Sequence, residues 1–553
     1  MPNESPALSF DLTARPWIPV QRLNGSEEEL SLLEVFEQAE QLRRIVGDVP
    51  TQEFALMRLL LAILHDALKG PADPEEWHEL WEEDGLPVDR ISAYLHQHRD
   101  RFDLLHPQTP FFQVAGLRTA KDEFSSLDRI VADVPNGEPF FTMRARGTDR
   151  LGFAEAARWV VHAHAYDPSG IKSGAAGDPR AKGGKGYPQG VGWAGNLGGV
   201  LAEGDHLRET LLLNLVAADT DNLKIDEDDR PAWRRAPNGA AAADPKELAA
   251  RPTGPRDLYT WQSRRLRLHY DAEGVHGVLL AYGDPLPARN MHNREPMTAW
   301  RRSPAQEKKL GAAQVYLPRE HDPTRSAWRG LGALVTGRVR NAEQRREAAE
   351  VVRPRILDWV ARLANEGFLD DEHFIRARVF GAVYGTQLSV IDEIVDDAIA
   401  MAVVVLHERD AELGHTAVRA VDDAEEAVTA LGDLATGLAQ AAGAETEAPR
   451  ATARDLGFGK LDGHFRDWLA KLTSDKDPEE YRREWQCRVH STISRIADRL
   501  VNEAGEAAWT GRVTEAKSGS LWLTASRADL RFRAELRKAL PMSTTEQTGE
   551  APA

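Results

Sequence analysis

Beyond about Leu388 the apolar residues of this 553-residue chain recur at helical spacing, with no strand pattern between them. Five such patterns cover 388–413, 415–442, 465–472, 478–504 and 525–540. Antiparallel helices joined by loops predict a C-terminal four-helix bundle over 389–542, followed by a polar tail at 543–553 expected to be disordered. Residues 1–388 mix element types. Segment 10–20 reads as a short strand confined to an edge by Pro16 and Pro19. Ser31 with Glu34 three residues on is a capping box, opening a helix whose apolar side takes in Leu33, Phe36 and Leu42. Segment 51–68 reads as a capped helix apolar on nearly every face, hence buried. Helices are also expected over 151–165 and 207–218. Segment 264–270 alternates like a half-exposed strand that 274–282 could pair with, and 219–230 and 237–250 read as surface loops. The fold class is therefore α+β: a large mixed N-terminal domain with irregular loops, 1–388, and then the bundle.

Charge narrows the function. The chain carries 69 basic and 87 acidic residues, a net charge of -18, which argues against simple nucleic-acid binding. The distribution differs. Segment 284–340 holds eleven basic residues, Arg301, Arg302, Lys308 and Lys309 among them, against five acids, a local +6 in a remainder of -24. In 171–200, Lys172, Arg180, Lys182 and Lys185 face only Asp178. Single runs of this kind are usually solvated loops, but two of them in an acidic chain point to a local anionic partner, either nucleic acid or acidic protein. No apolar run reaches the length of a membrane span, and the opening Met1–Ser5 has no signal-peptide character, so a cytoplasmic chain is expected.

Catalytic chemistry is hard to find. Cys487 is the single cysteine, which excludes a disulfide framework and cysteine-based metal sites, and its helical setting marks it as an inert thiol. His162 and His164 invite a metal-dependent hydrolase reading. Two residues apart, however, they do not share a helix face, and no HExxH partner is near. There is no Walker A loop, no GxSxG and no dinucleotide fingerprint. The chain does not read as an enzyme, and no cofactor is expected. The most informative local feature is 174–199, with ten glycines, Gly190, Gly192 and Gly195 among them, interleaved with Tyr187, Trp193 and cations. Such a stretch is either a pliable linker or a loop whose bare backbone approaches a narrow groove.

Several stretches together resemble the large-subunit (CasA) family of the type I-E CRISPR surveillance complex, Cascade. They are Phe10-Asp11-Leu12 with Arg15-Pro16-Trp17-Ile18-Pro19-Val20, His106-Pro107 with Pro110-Phe111-Phe112-Gln113, the glycine stretch ahead of Leu207–Asn214, Gly385-Thr386-Gln387-Leu388-Ser389, and closing helices with Phe465 and Trp468. The resemblance covers essentially the whole chain. It implies a non-enzymatic subunit that reads the protospacer-adjacent motif (PAM) in duplex DNA, starts strand separation and helps recruit a helicase-nuclease. The guide RNA reads the remaining sequence. Partners would be the other Cascade subunits and guide RNA, double-stranded target DNA and the helicase-nuclease, with no membrane. By the same resemblance Gln387, beside Thr386, would be the wedge between the strands. Backbone near Gly190, Gly192 and Gly195 would face the minor groove. Phe141 and Met143 would lie near the RNA end, and Arg301 and Arg302 would track the DNA backbone; Lys172, Lys182 and Lys185, from the basic run at 171–200, are expected to join them on charge. No metal site is implied, since the N-terminal cysteine cluster of known members, which could hold zinc, is missing here.

Overall fold

The N-terminal core is organised around the helix Pro50–Leu68, in which every residue but Pro50 and Ala67 is buried. Its leucines, isoleucine and phenylalanine meet apolar neighbours on all sides, among them the helices Val88–Gln97, Phe153–Tyr166 and Pro255–Tyr259. Each fully buried large aliphatic side chain is worth about 1.5–3 kcal/mol, so tertiary burial rather than helix propensity holds this segment. The computed structural model describes residues 8–132, 148–335, 351–407, 411–516 and 519–543. Two compact units divide the chain: Met1–Arg325, Gly337–Leu369 and Ile375–Ala398 in one, Ser326–Thr336, Asp370–Phe374 and Ile399–Ala553 in the other.

In the first unit the Ser31 capping box forms, with its hydroxyl accepting from Glu34 and the Glu34 carboxylate accepting from the Ser31 N–H. The helix it opens stops at Glu37, and Leu42 belongs instead to the strand Leu42–Ile45. The buried helix lacks a side-chain cap because its N-cap residue is Val49, while Thr51 lies within the first turn and its hydroxyl bonds His162. Strand Ile18–Arg22 lies between Glu27–Leu30 and Leu42–Ile45, in the middle of a three-stranded sheet and not at its edge. Pro19 is tolerated because pairing with Leu42–Ile45 begins only at Val20. Helices form at Phe153–Tyr166 and Leu207–Leu213. Arg264–Asp271 and Gly274–Tyr282 pair antiparallel, as their alternation predicts, but the hairpin is largely buried rather than half-exposed.

The second unit contains four long helices, Glu412–Ala442, Glu447–Leu469, Pro478–Asn502 and Ala525–Ala539, with the first packed against each of the other three. Trp328, Phe465, Trp468 and Trp485 form its aromatic centre. Among the described residues the helix expected over 388–413 is absent up to Glu412, where Glu412–Ala442 begins. Residues Ile391–Ala402 are a strand, paired beside Phe374–Tyr384, which in turn neighbours Gly199–Glu203. Ile391, Ile394, Ala398 and Ile399 happen to fall at helical spacing, yet long-range pairing of β-branched residues overrides that period. A second hairpin, Arg512–Ala516 with Gly519–Leu523, also interrupts the all-helical expectation. Of the tail only Ser543 is described. No described helix is long and apolar enough to cross a membrane.

Candidate nucleic-acid interface

The strands Phe374–Tyr384 and Ile391–Ala402 meet in a tight tip whose residues Thr386, Gln387, Leu388 and Ser389 are all exposed. Gln387 and Leu388 both adopt left-handed backbone, with φ of 59° and 58°. Non-glycine residues in that region are uncommon and store strain, so the surrounding bonds must hold the tip in shape. Leu388 N–H donates to the Gly385 carbonyl at 2.9 Å and the Ser389 hydroxyl to the Thr386 carbonyl at 2.8 Å. From outside the hairpin, Ser169 N–H donates to the Leu388 carbonyl at 2.7 Å. The tip is thus braced while the Gln387 side chain stays in solvent.

The brace is the segment following the helix Phe153–Tyr166. Gly170, with φ of 122°, runs beside Ser389, and Ile171 is about half exposed. Its shape comes from a buried ionic knot. Arg264 pairs with the Asp167 carboxylate and donates to the carbonyls of Asp167 at 2.7 Å and Gly190 at 3.0 Å. Tyr282 donates to the Gly170 carbonyl at 2.6 Å. Lys172 belongs to this knot: it is buried and its ammonium lies 2.8 Å from Asp167. It is therefore no surface contact for a phosphate, a correction to the expectation from charge alone.

Lys182 and Lys185 are different. Gly183 and Gly184, both left-handed with φ of 58° and 74°, join Lys182 to Lys185, whose backbones exchange hydrogen bonds, and Lys185–Gly186 pairs in turn with Lys172–Ser173. Two consecutive left-handed residues make a type I′ turn, for which Gly-Gly is a preferred pair. Lys182 and Lys185 flank the turn and are exposed, as is Tyr187.

The later glycines do not present backbone outward. Gly192 and Gly195 are buried. A Cβ on Gly192 would lie 2.5 Å from the Ala165 carbonyl carbon, and one on Gly195 would lie 2.1 Å from the Tyr384 hydroxyl. They are glycines so that other parts of the core can approach. Gly190, with φ of 102°, is partly exposed, but its carbonyl is held by Arg264. Spacing and composition could not distinguish these glycines from Gly170, whose positive φ and position beside the tip become visible only once the hairpin is folded against it.

Arg301 is exposed on the strand Trp300–Arg302, paired between Tyr316–Pro318 and Val351–Val352. Arg302 is engaged by both oxygens of Glu307, at 2.7 and 3.0 Å. Burial, with the charges of Arg325 and Arg301, pushes the Arg319 guanidinium below its ordinary value, so these cations are close neighbours. The Arg319–His321 segment lies on Gly198 and Gly199, tying this cluster to the end of the glycine stretch. Lys308 and Lys309 are exposed on the helix Pro304–Leu310. Phe141 and Met143 lie outside the described residues.

His162 and His164 are both buried on one helix and serve separate neighbours: His162 bonds the Thr51 hydroxyl at 2.9 Å, His164 the Phe112 carbonyl at 2.8 Å. Burial pushes each imidazole down to about 4, so both are neutral packing groups. Among the described residues no three His, Cys, Asp or Glu are placed to hold a metal ion.

The family model for CRISPR-associated protein Cse1 matches residues 11–496. The chain belongs to the Cse1 family. Among solved structures, Cse1 of Thermobifida fusca is 70% identical, with 97% of this chain and 99% of that one covered at a TM-score of 0.90. The CRISPR-associated protein CasA/Cse1 of Thermus thermophilus is 31% identical over 389 residues, 69% of each chain. A chain of a CRISPR RNA-guided surveillance complex shares the fold at a TM-score of 0.65 and 18% identity, covering 89% of this chain and 98% of that one. The resemblance read from the motifs is borne out, and Cse1 membership accounts for a mixed N-terminal unit joined to a helical bundle.

Proposed function

We propose that this Cse1 family member is the DNA-recognition subunit of an RNA-guided CRISPR surveillance complex. It reads the PAM in double-stranded DNA, separates the strands beside it and helps recruit the helicase-nuclease. The observation that carries this reading is the braced, solvent-facing tip with Gln387 at its apex. Wedging a side chain into a duplex costs about a few kcal/mol per unstacked base step, and only a tip that does not yield can apply that force. Thr386 flanks Gln387 on the same exposed turn. The backbone presented to the minor groove is assigned to Ser169–Ile171 beside the tip, in place of Gly190, Gly192 and Gly195. The minor groove carries a degenerate pattern, which suits a reader that tolerates related motifs. Lys182, Lys185 and Arg301 contact phosphates, which fix register without carrying sequence. Guide RNA and the other subunits complete the assembly, and the work is recognition rather than catalysis.

The test is Gln387→Ala in the assembled complex, with strand opening followed by a fluorescent base analogue next to the PAM. Opening is expected to fall at least tenfold while the complex still assembles. Opening at the unmodified rate would remove the wedge.

A further inference from the structure

Tyr384 closes the strand Phe374–Tyr384 three residues before Gln387. The residue is half-buried and its hydroxyl turns toward the core. It donates to the carbonyl of Tyr166, the last residue of the helix Phe153–Tyr166, at 2.7 Å. Carbonyls in the final turn of a helix have no partner within the helix, so this bond satisfies one that would otherwise be buried and unpaired. The ring fills the space that a side chain at position 195 would need. Three residues further along the brace, Ser169 N–H holds the Leu388 carbonyl at 2.7 Å, and Gly192 N–H donates to the Asp167 carbonyl at 2.9 Å. The residues just past one helix end therefore grip the hairpin at its neck and its tip, and grip the glycine stretch as well. Burial raises the Tyr384 phenol well above its ordinary value, so it remains a donor across the physiological range.

We infer that Tyr384 is a positioning residue for the wedge: through its bond to Tyr166 and its seat over Gly195, it locks the hairpin to the Ser169–Ile171 backbone so that groove contact and strand separation act as one rigid body. This rests on the wedge reading of Gln387. The load arises where Gln387 enters the duplex, and a hairpin free to pivot at Tyr384 would give way before the bases part.

The experiment uses the assembled complex and PAM-bearing duplexes with 2-aminopurine beside the motif, measuring strand-opening rate and duplex affinity separately. Tyr384→Phe keeps the ring and removes only the hydroxyl. It is expected to slow opening about fivefold, the scale of one lost buried hydrogen bond, with affinity within twofold of the unmodified complex. Gly195→Ala is expected to slow opening further, because its new methyl group meets the Tyr384 hydroxyl. The double variant Gly195→Ala with Tyr384→Phe is expected to open faster than Gly195→Ala alone, since the atom nearest that methyl, at 2.1 Å, is gone. A general folding defect lowers assembly and duplex affinity along with opening, whereas a loosened hairpin slows opening while assembly and affinity are kept. Unmodified opening by Tyr384→Phe, or no rescue in the double variant, overturns the inference. Gln387→Ala serves as the control. If it opens DNA normally, the wedge reading falls and takes this inference with it. If it is slow while Tyr384→Phe is normal, only the positioning role falls.

Discussion

Glu295 holds Arg58 with both carboxylate oxygens at 2.9 Å, and neither side chain reaches solvent. The same carboxylate accepts from the Trp193 indole at 2.8 Å and the Met297 N–H at 3.0 Å, and the Arg58 guanidinium lies over the Tyr259 ring. One buried ion pair thus joins the central helix to the glycine stretch. Removing a single partner strands the other charge in the core, which costs about 3–5 kcal/mol. Glu295→Gln should lower the urea unfolding midpoint accordingly, without a change in slope. A loss below about 1 kcal/mol, the range of exposed pairs, would show that the pair is not desolvated in solution.

Arg301 and Arg302 are adjacent in sequence yet differently placed. Arg302 is neutralised by Glu307, while Arg301 is exposed beside Arg319 and Arg325. In the assembled complex, Arg301→Ala should weaken binding equally on all duplexes and reduce the salt slope by about 0.9, one phosphate contact. Arg302→Ala should do less on both counts. A loss restricted to particular PAM sequences would mean that Arg301 touches a base edge.

Lys172 separates structure from binding. Lys172→Ala removes a buried hydrogen bond to Asp167 and leaves a cavity where the buried lysine stem packed, so it should reduce thermal stability of the isolated chain by several degrees. Lys182→Ala with Lys185→Ala should leave the melting temperature within a degree or two and weaken duplex affinity instead. The reverse pattern would return Lys172 to the surface.

Acid should unfold the N-terminal unit early. Burial lowers His65 to about 3 and His162 and His164 to about 4, against 6.5 when exposed. Between these values the unfolded chain binds protons that the folded chain refuses, so stability present above pH 6.5 is lost as pH falls toward 4. Each of His162 and His164 contributes about 2 kcal/mol of loss at pH 5 by proton linkage. His162→Gln should flatten the decline in melting temperature between pH 7 and pH 5. An unchanged decline would show that His162 already takes up protons in the fold.

Local chemistry was legible in the residues, and long-range pairing was not. The Ser31–Glu34 box, the buried helix and the hairpin of Arg264–Asp271 with Gly274–Tyr282 could be read directly, because each signal lies within a few residues. The strand Ile391–Ala402 imitated a helix, since its partner strand lies upstream in the chain and its own spacing is ambiguous. The start of Glu447–Leu469 was hidden by Gly457, Gly459 and Gly463, of which Gly457 is needed where Val428 and Leu431 approach. Among the candidate site residues, Gln387 and the cations Lys182, Lys185 and Arg301, which the structure places in exposed positions, were singled out by motif and charge. Gly170 and Tyr384 were not, because nothing near them in sequence marks a residue that matters only through what folds against it.

Left-handed backbone at Gln387 sets two demands against each other. A glycine would sit at that apex with less strain and give a sturdier hairpin, yet under the proposed wedge role it would have nothing to insert between base pairs. A library screened for thermal resistance alone should therefore enrich glycine at position 387 and yield robust molecules in which the proposed strand opening is lost.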